Sequence, residues 1–146
     1  MTLDVTATET IAANPDRVFA YATDPSNDTV WIGGISEAEL LGDPPLKEGS
    51  SVRRLASFMG RHIEYVLEVA ELEPGERLAM RSIRSPFPMA VTYSFESAGG
   101  GTRMAIRVEG EAEGMYRLAG PFLPGMVRRS VAKDIRRLKT IIEREG

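Results

Sequence analysis

The sequence predicts an α+β fold: a curved antiparallel seven-stranded sheet wrapped around a long C-terminal helix, with two short helices after the first strand. Three observations carry this. The chain opens on a segment of strict apolar/polar alternation, residues 35–112 read as strands joined by tight turns, and from Val127 onward the apolar period becomes helical.

In residues 3–11, Leu3, Val5, Ala7, Glu9 and Ile11 share one face and Asp4, Thr6, Thr8 and Thr10 the other, the period of a half-buried strand. Asn14 is placed to cap a helix whose first turn holds Pro15 and Asp16. That helix buries Val18, Phe19 and Ala22 and stops before Pro25; a second short helix over about 27–32 ends at Gly33 and Gly34. Strands follow near 35–41, 50–58, 61–72, 77–84, 88–96 and 102–112. Glu73-Pro74-Gly75-Glu76 has the proline and glycine of a type II turn, while Gly60 and Gly99 to Gly101 mark two other connections. In the last segment Val127, Val131, Ile135, Leu138 and Ile142 form one stripe, with Arg129, Lys133, Arg136, Arg137 and Arg144 on the opposite half. Pro121, Pro124 and Gly125 are expected to separate this helix from a short helical lead-in around 115–120. Short turns make neighbouring strands antiparallel, and only the long helix is large enough to cover the apolar face of such a sheet.

Composition narrows the chemistry. With no repeat, low-complexity tract or linker, residues 1–146 are read as one domain. The absence of cysteine excludes disulfides, thiolate metal sites and cysteine nucleophiles, and a single histidine limits acid–base work to His62, carboxylates, arginines and tyrosines. His62 and Glu64 do not make a metal site, since metals need three or more ligands; no metal and no cofactor is expected. Gly99 to Gly101 precedes a strand, so it lacks the helix N-terminus of a phosphate loop. The start, Met1-Thr2-Leu3-Asp4, lacks the basic and apolar parts of a signal peptide, and no stretch is apolar enough to cross a membrane, so a cytoplasmic protein without a transmembrane segment is expected. Net charge is −3, which argues against nucleic acid. Residues 128–146 nevertheless hold seven of the 18 basic and only three of the 21 acidic residues, leaving either a solvated helix face or a weak contact with an anionic surface or RNA.

Turn geometry assigns the faces. A two-residue turn at Met59 and Gly60 pairs Phe58 with Arg61, Ala56 with Ile63, Arg54 with Tyr65 and Val52 with Leu67, and this more apolar set is taken as inward, leaving His62 outside. Pairing 72 with 77 then puts Leu78, Met80, Ser82 and Arg84 inward and Arg81 outward beside Glu68. By alternation Met89, Val91, Tyr93, Phe95, Met104, Ile106 and Val108 face in as well. The interior therefore collects Arg54, Tyr65, Arg84 and Tyr93 among large apolar side chains, with Asp134 in the helix stripe and Glu9 on the first strand. Unpaired charges in a dry core are costly, so these groups either pair or line a wet cavity suited to a small molecule. Alternatives stand for each: Arg54 at a bulge or edge reaching water, Asp134 turned to Arg137, the methionines as core filler, Trp31 as core plug or cavity wall.

The run Ile11-Ala12-Ala13-Asn14-Pro15-Asp16-Arg17-Val18-Phe19-Ala20-Tyr21, then Asp24-Pro25 and Trp31, resembles the opening of the START-like (SRPBCC) superfamily, in particular its polyketide cyclase/dehydrase-like branch. The similarity extends through Gly49 to Arg53, Gly60-Arg61, Val69 to Pro74, Arg77-Leu78, Tyr93 to Glu96, Gly101-Thr102-Arg103 and Leu138 to Glu143, so it covers essentially the whole chain. It implies a helix-grip fold with a deep apolar cavity between sheet and helix. Its members include lipid carriers, hormone and metabolite binders, and aromatase/cyclases. The matched positions are structural and transfer no catalytic role.

Two functions are weighed. The first is binding or transport of a hydrophobic or amphipathic small molecule such as a lipid, polyketide, quinone or aromatic metabolite. In it Arg54 anchors an anionic group, Tyr65 and Tyr93 orient it, Trp31 and Phe58 cover apolar parts, and Met80, Arg84 and Asp134 complete the wall. The second is a polyketide cyclase/dehydratase-type enzyme, with Asp134 or Glu9 as a desolvated base. A third, weaker possibility is a protein or membrane contact through Arg128, Arg129, Lys133, Arg136 and Lys139.

Overall fold

The structure is a computed structural model that describes residues 2–58, 60–111 and 121–145. Strand β1 (Thr2–Ile11) is followed by helix α1 (Pro15–Ala22), a 3₁₀ turn (Pro25–Asn27) and helix α2 (Asp28–Trp31). Six strands come next: β2 (Ile35–Leu41), β3 (Ser51–Phe58), β4 (Arg61–Glu73), β5 (Arg77–Arg84), β6 (Met89–Ala98) and β7 (Gly101–Glu111). Helix α3 (Leu123–Glu145) closes the order. All seven strands form one antiparallel sheet in the order β1-β7-β6-β5-β4-β3-β2, so the first strand pairs with the last and β1 and β2 are the edges. Order and element types agree with the sequence-based expectation.

Local chemistry explains the boundaries. The Asn14 side chain accepts from the Arg17 amide at 2.9 Å, and Asp24 caps the 3₁₀ turn through the Ser26 amide at 3.0 Å, each satisfying a donor the helix cannot. Helix α3 starts earlier than expected, because Pro124 and Gly125 fall inside its first turn instead of before it. Proline costs nothing there, as its missing N–H would have had no partner. The expected lead-in at 115–120 lies outside the described residues.

The β3–β4 register is the expected one, with Arg54 opposite Tyr65 and Ala56 opposite Ile63. Across β4 and β5, Glu68 faces Arg81 with a 2.9 Å ion pair, also as expected, but the turn is shifted by one residue: Leu72 faces Leu78 and Glu73 faces Arg77. A bulge between Val69 and Glu71 absorbs the shift and restores Val69 opposite Met80. A second irregularity, between Val66 and Leu67, advances β5 by two residues for one on β4, so Arg84 comes opposite Val66. This sends Arg84 to the outer face, where its side chain is 75% exposed and meets Glu64 at 3.6 Å; the inward placement of Arg84 is corrected by that bulge.

The concave face of the sheet packs on α1 and α3 through Ile11, Val18, Leu67, Phe95, Met104, Leu138 and Ile142, all buried. Thr102, wholly buried, donates to the Ala13 carbonyl at 2.6 Å and ties the β1–α1 connection to β7. At the β4–β5 turn the Glu76 amide bonds the Glu73 carbonyl at 2.9 Å and Gly75 has φ +76°, the left-handed value a type II turn requires. Gly75→Ala should therefore lower stability by about 1 kcal/mol or more, read as a reduced urea midpoint at unchanged slope. An unchanged midpoint would contradict the turn.

Candidate functional site

Away from this packed end, sheet and helix enclose a cavity of about 200 Å³. Apolar lining comes from Ile35, Ala56, Ile63, Val91, Ile106 and Val131, among others. Polar groups enter from three sides. Arg54 and Tyr65 are cross-strand neighbours on the inner face of β3 and β4, Tyr93 projects from β6, and Asp134 comes from α3. Trp31, at the end of α2, packs edge-on against Tyr93 with ring centroids 5.8 Å apart. Among the described lining residues, Gly33, Ser57 and Ser130 are exposed and Phe58 and Val127 half-buried, so the cavity reaches solvent beside the first turns of α3.

Arg54 is buried, 5% exposed, and does not stand alone. Its Nε and Nη2 reach Asp28 Oδ2 at 3.0 and 2.9 Å, and Nη2 also donates to the Tyr93 hydroxyl at 3.4 Å. Asp28 is 2% exposed. Burial alone disfavours the guanidinium charge, but Tyr93, Asp28 and Tyr65 around it hold Arg54 above its ordinary value. Burial also pushes the Tyr93 hydroxyl up to about 12, so it stays protonated at neutral pH.

Asp134 is the second buried acid. Its Oδ1 accepts from the Gly33 amide at 2.8 Å and from Arg137 Nη1 at 3.4 Å, while Arg137 also donates to the Trp31 carbonyl at 2.9 Å. A side chain at position 33 would crowd this arrangement, its Cβ falling 3.1 Å from Asp134 Oδ1. Burial raises the Asp134 carboxyl to about 6, with the Gly33 amide and Arg137 pulling back part of the shift. Both alternatives weighed from sequence therefore hold together: Asp134 reaches Arg137 and lies on the cavity wall.

Of the expected residues, Arg54, Tyr65, Tyr93, Phe58, Trp31 and Asp134 meet at the cavity. Arg84 does not, for the reason given above. Met80 is buried but sits behind the wall, beside a separate void of about 10 Å³. Met104 is core as well, which leaves Met89 as the one methionine on the wall among the described residues, and Met80 and Met104 serve as core filler, the alternative weighed for them. Glu9 is half-buried on the inner face of β1, away from the cavity. Sequence reading missed Asp28 and the Gly33 amide but names Arg137 as a partner of Asp134. Asp28 looks like an ordinary acidic residue in a first helical turn, and only the demand of a buried arginine for a carboxylate could have singled it out.

Among the described residues, several polar atoms of the wall remain uncommitted: Arg54 Nη1, the Tyr65 hydroxyl and Asp134 Oδ2 make no hydrogen bond within the protein. Trp31 Nε1 is fully buried without a partner. An unmatched set of donors with one acceptor, on a mostly apolar wall, is suited to a molecule carrying both an acceptor and a donor oxygen.

A family model for polyketide cyclase/dehydrase and lipid transport proteins matches residues 2–143. The chain belongs to this family. Solved structures agree with the START-like helix-grip fold. A Thermus thermophilus protein, TTHA0849, superposes with a TM-score of 0.81 at 20% identity, covering 94% of each chain. The Zhui aromatase/cyclase from Streptomyces sp. R1128 gives a TM-score of 0.66 at 19% identity over 99% of this chain and 90% of that one. Ginseng major latex-like protein 151 from Panax ginseng gives 0.71 at 12% identity over 96% and 97%. No curated protein matches the chain. Among the described residues of this polyketide cyclase/dehydrase family member, no helix is long and apolar enough to cross a membrane.

Asp28→Ala should cost about 3–5 kcal/mol, because it leaves Arg54 buried without a counter-charge. The double variant Asp28→Leu with Arg54→Met should fall much closer to the parent; urea unfolding of all three, showing the pair replacement as damaging as the single one, would refute the ion-pair account. A second outcome follows from Asp134. Its folded value, about 6, lies above the reference 3.8, so its protonated form is favoured by folding and native stability falls as pH rises through that interval, by on the order of 3 kcal/mol. Asp134→Asn lacks this titration, so its stability relative to the parent should climb between pH 4 and 6 and level off above; a difference that stays flat with pH would contradict it.

Proposed function

We propose that this protein binds, in the cavity between sheet and long helix, a compact amphipathic molecule of one or two rings whose polar groups are uncharged carbonyl and hydroxyl oxygens. One observation carries the reading: an open apolar cavity whose wall holds uncommitted polar atoms and whose arginine is already neutralised by Asp28. Size supports it. A dry cavity of about 150 Å³ takes benzene and pockets for drug-sized molecules start near 300 Å³, so about 200 Å³ suits a small ring system and not a long acyl chain. Charge supports it too. An anionic ligand would add a second negative charge beside Asp28 and face Asp134, whereas a neutral oxygen can accept from Arg54 Nη1 or Tyr65 and a hydroxyl can donate to Asp134 Oδ2.

A ring-forming or dehydrating enzyme is the second reading, and Asp134 favours it. A buried carboxyl with a value near 6, one oxygen held by Gly33 and the other uncommitted, has the form of a general base. The family description and the Zhui aromatase/cyclase support the same possibility.

Titration with 2-naphthol and 2-naphthoate, equal in ring size and different in charge, tests the proposal by calorimetry and by the fluorescence of Trp31, the only tryptophan. The expected result is saturable binding of the naphthol with a change in Trp31 emission, at least tenfold tighter than the naphthoate, and weakened about tenfold in Tyr65→Phe. Binding of neither compound, or equal binding of both, would overturn it. For the enzyme reading, mass spectrometry after incubation with a poly-β-ketone should show a dehydrated or cyclised product that Asp134→Asn abolishes; recovery of unchanged compound leaves binding as the function.

A further inference from the structure

The solvent face of α3 is not an ordinary solvated helix surface. Phe122, Met126, Arg129, Lys133 and Arg136 follow one another at steps of four, three, four and three residues, which places them on one line along the helix, opposite the buried stripe of Val131, Ile135, Leu138 and Ile142. Phe122 is 76% exposed and Met126 37% exposed, although both are apolar. The three cations are exposed and, among the described residues, form no ion pair. Arg129 and Lys133 also repel one another at i,i+4, and Lys133 repels Arg137 in the same way. Among the described residues no carboxylate interrupts this face: Asp134 is turned into the cavity, and Glu143 is engaged by Lys139 and by the Ala12 amide. A chain of net charge −3 thus concentrates unneutralised positive charge on one line and ends that line in two bare apolar side chains.

That end also borders the cavity. Leu123, next to Phe122, packs with Phe58, Ile63, Phe87 and Val127, all of which line it.

We infer that this face of α3 docks the protein on an anionic lipid bilayer, with Phe122 and Met126 entering the interfacial region and Arg129, Lys133 and Arg136 lying over lipid headgroups. Cations of this kind contribute about a fivefold gain in affinity each near an anionic surface, and an apolar residue among them converts simple attraction into insertion. Insertion separates this partner from a nucleic acid duplex, whose phosphates would use the cations and leave Phe122 and Met126 in water. Docked this way, the cavity opens beside the membrane, so a poorly soluble ligand enters or leaves without crossing bulk water. The docking does not depend on which molecule the cavity holds.

Cosedimentation of the full chain with vesicles tests this, comparing phosphatidylcholine alone with a three-to-one mixture of phosphatidylcholine and phosphatidylglycerol. Binding to the mixture at low salt, weak binding to phosphatidylcholine alone, and release near about 0.5 M salt are expected. Arg129→Glu with Lys133→Glu should weaken binding about a hundredfold or more, and Phe122→Ser with Met126→Ser about tenfold. Lys47→Glu with Arg103→Glu, which changes net charge equally on other exposed surfaces, should bind as the parent does. Circular dichroism and an unchanged thermal midpoint verify that each variant is folded. Failure of the parent to bind the mixed vesicles overturns the inference, as does equal loss in the control variant. Binding that ignores the Phe122/Met126 substitution while depending on the cations also overturns it, because that is attraction to any polyanion. Naphthol binding in solution is measured without vesicles, so failure of one proposal is read independently of the other.

Discussion

A guanidinium on the concave face of a sheet is the constraint around which this end of the protein is built. Arg54 cannot reach bulk water, and an isolated buried charge would exceed the stability of a domain this size. The solution is Asp28, which commits the short α2 helix to one position above β3. A helix of four residues has almost no stability of its own, so its placement must come from outside. It is fixed at both ends: Asp28 is held by the sheet, while the Trp31 carbonyl and the Gly33 amide are held by Arg137 and Asp134 of α3. The α2 segment thereby links sheet to helix across the cavity, and its terminal tryptophan becomes a wall.

What could be read in advance follows from how local the determining forces are. The β3–β4 register was legible because a tight turn at Gly60 leaves few pairings, and each alternative would move Ala56 and Ile63 together. The placement of Arg54 and Tyr65 on one face followed from that register, and that of Tyr93 from the alternation of β6. Bulges do not announce themselves in this way. The two in the β4–β5 pair contain no glycine or proline at the irregularity, and the one before Arg84 reverses its direction, so parity counted from the turn at Gly75 fails there. Met80 failed for a different reason: facing inward does not distinguish core from cavity wall, which depends on how far the helix stands off the sheet at that point.

Asp28 was illegible for a third reason. Its partner lies 26 residues away on a different element, and its local context, the first turn of a helix, already offers a sufficient account of an acidic residue. The same applies to Gly33, whose lack of a side chain is required by a contact with α3 more than 100 positions along the chain. Long-range polar pairs carry no periodic signature. They can be inferred only by asking which buried charge lacks a counterpart, and here that question was answerable in kind but not in position.

The two buried acids are consequently set to different tasks. Asp28 gives its charge wholly to Arg54, so together they present a nearly neutral surface whose remaining donor faces the hollow. Asp134 is held by one amide and one half-exposed arginine, too little to offset its burial, and so it titrates near the physiological range. A sealed void of about 200 Å³ would forfeit packing energy on the order of 5 kcal/mol, comparable with the total stability of a small domain, whereas this one opens to solvent. On the proposed reading, a molecule that fills this space, between one neutralised cation and one poised acid, stabilises the fold. Occupancy and stability are linked on that reading, and the residues that would recognise a ligand are those that hold the short helix in place.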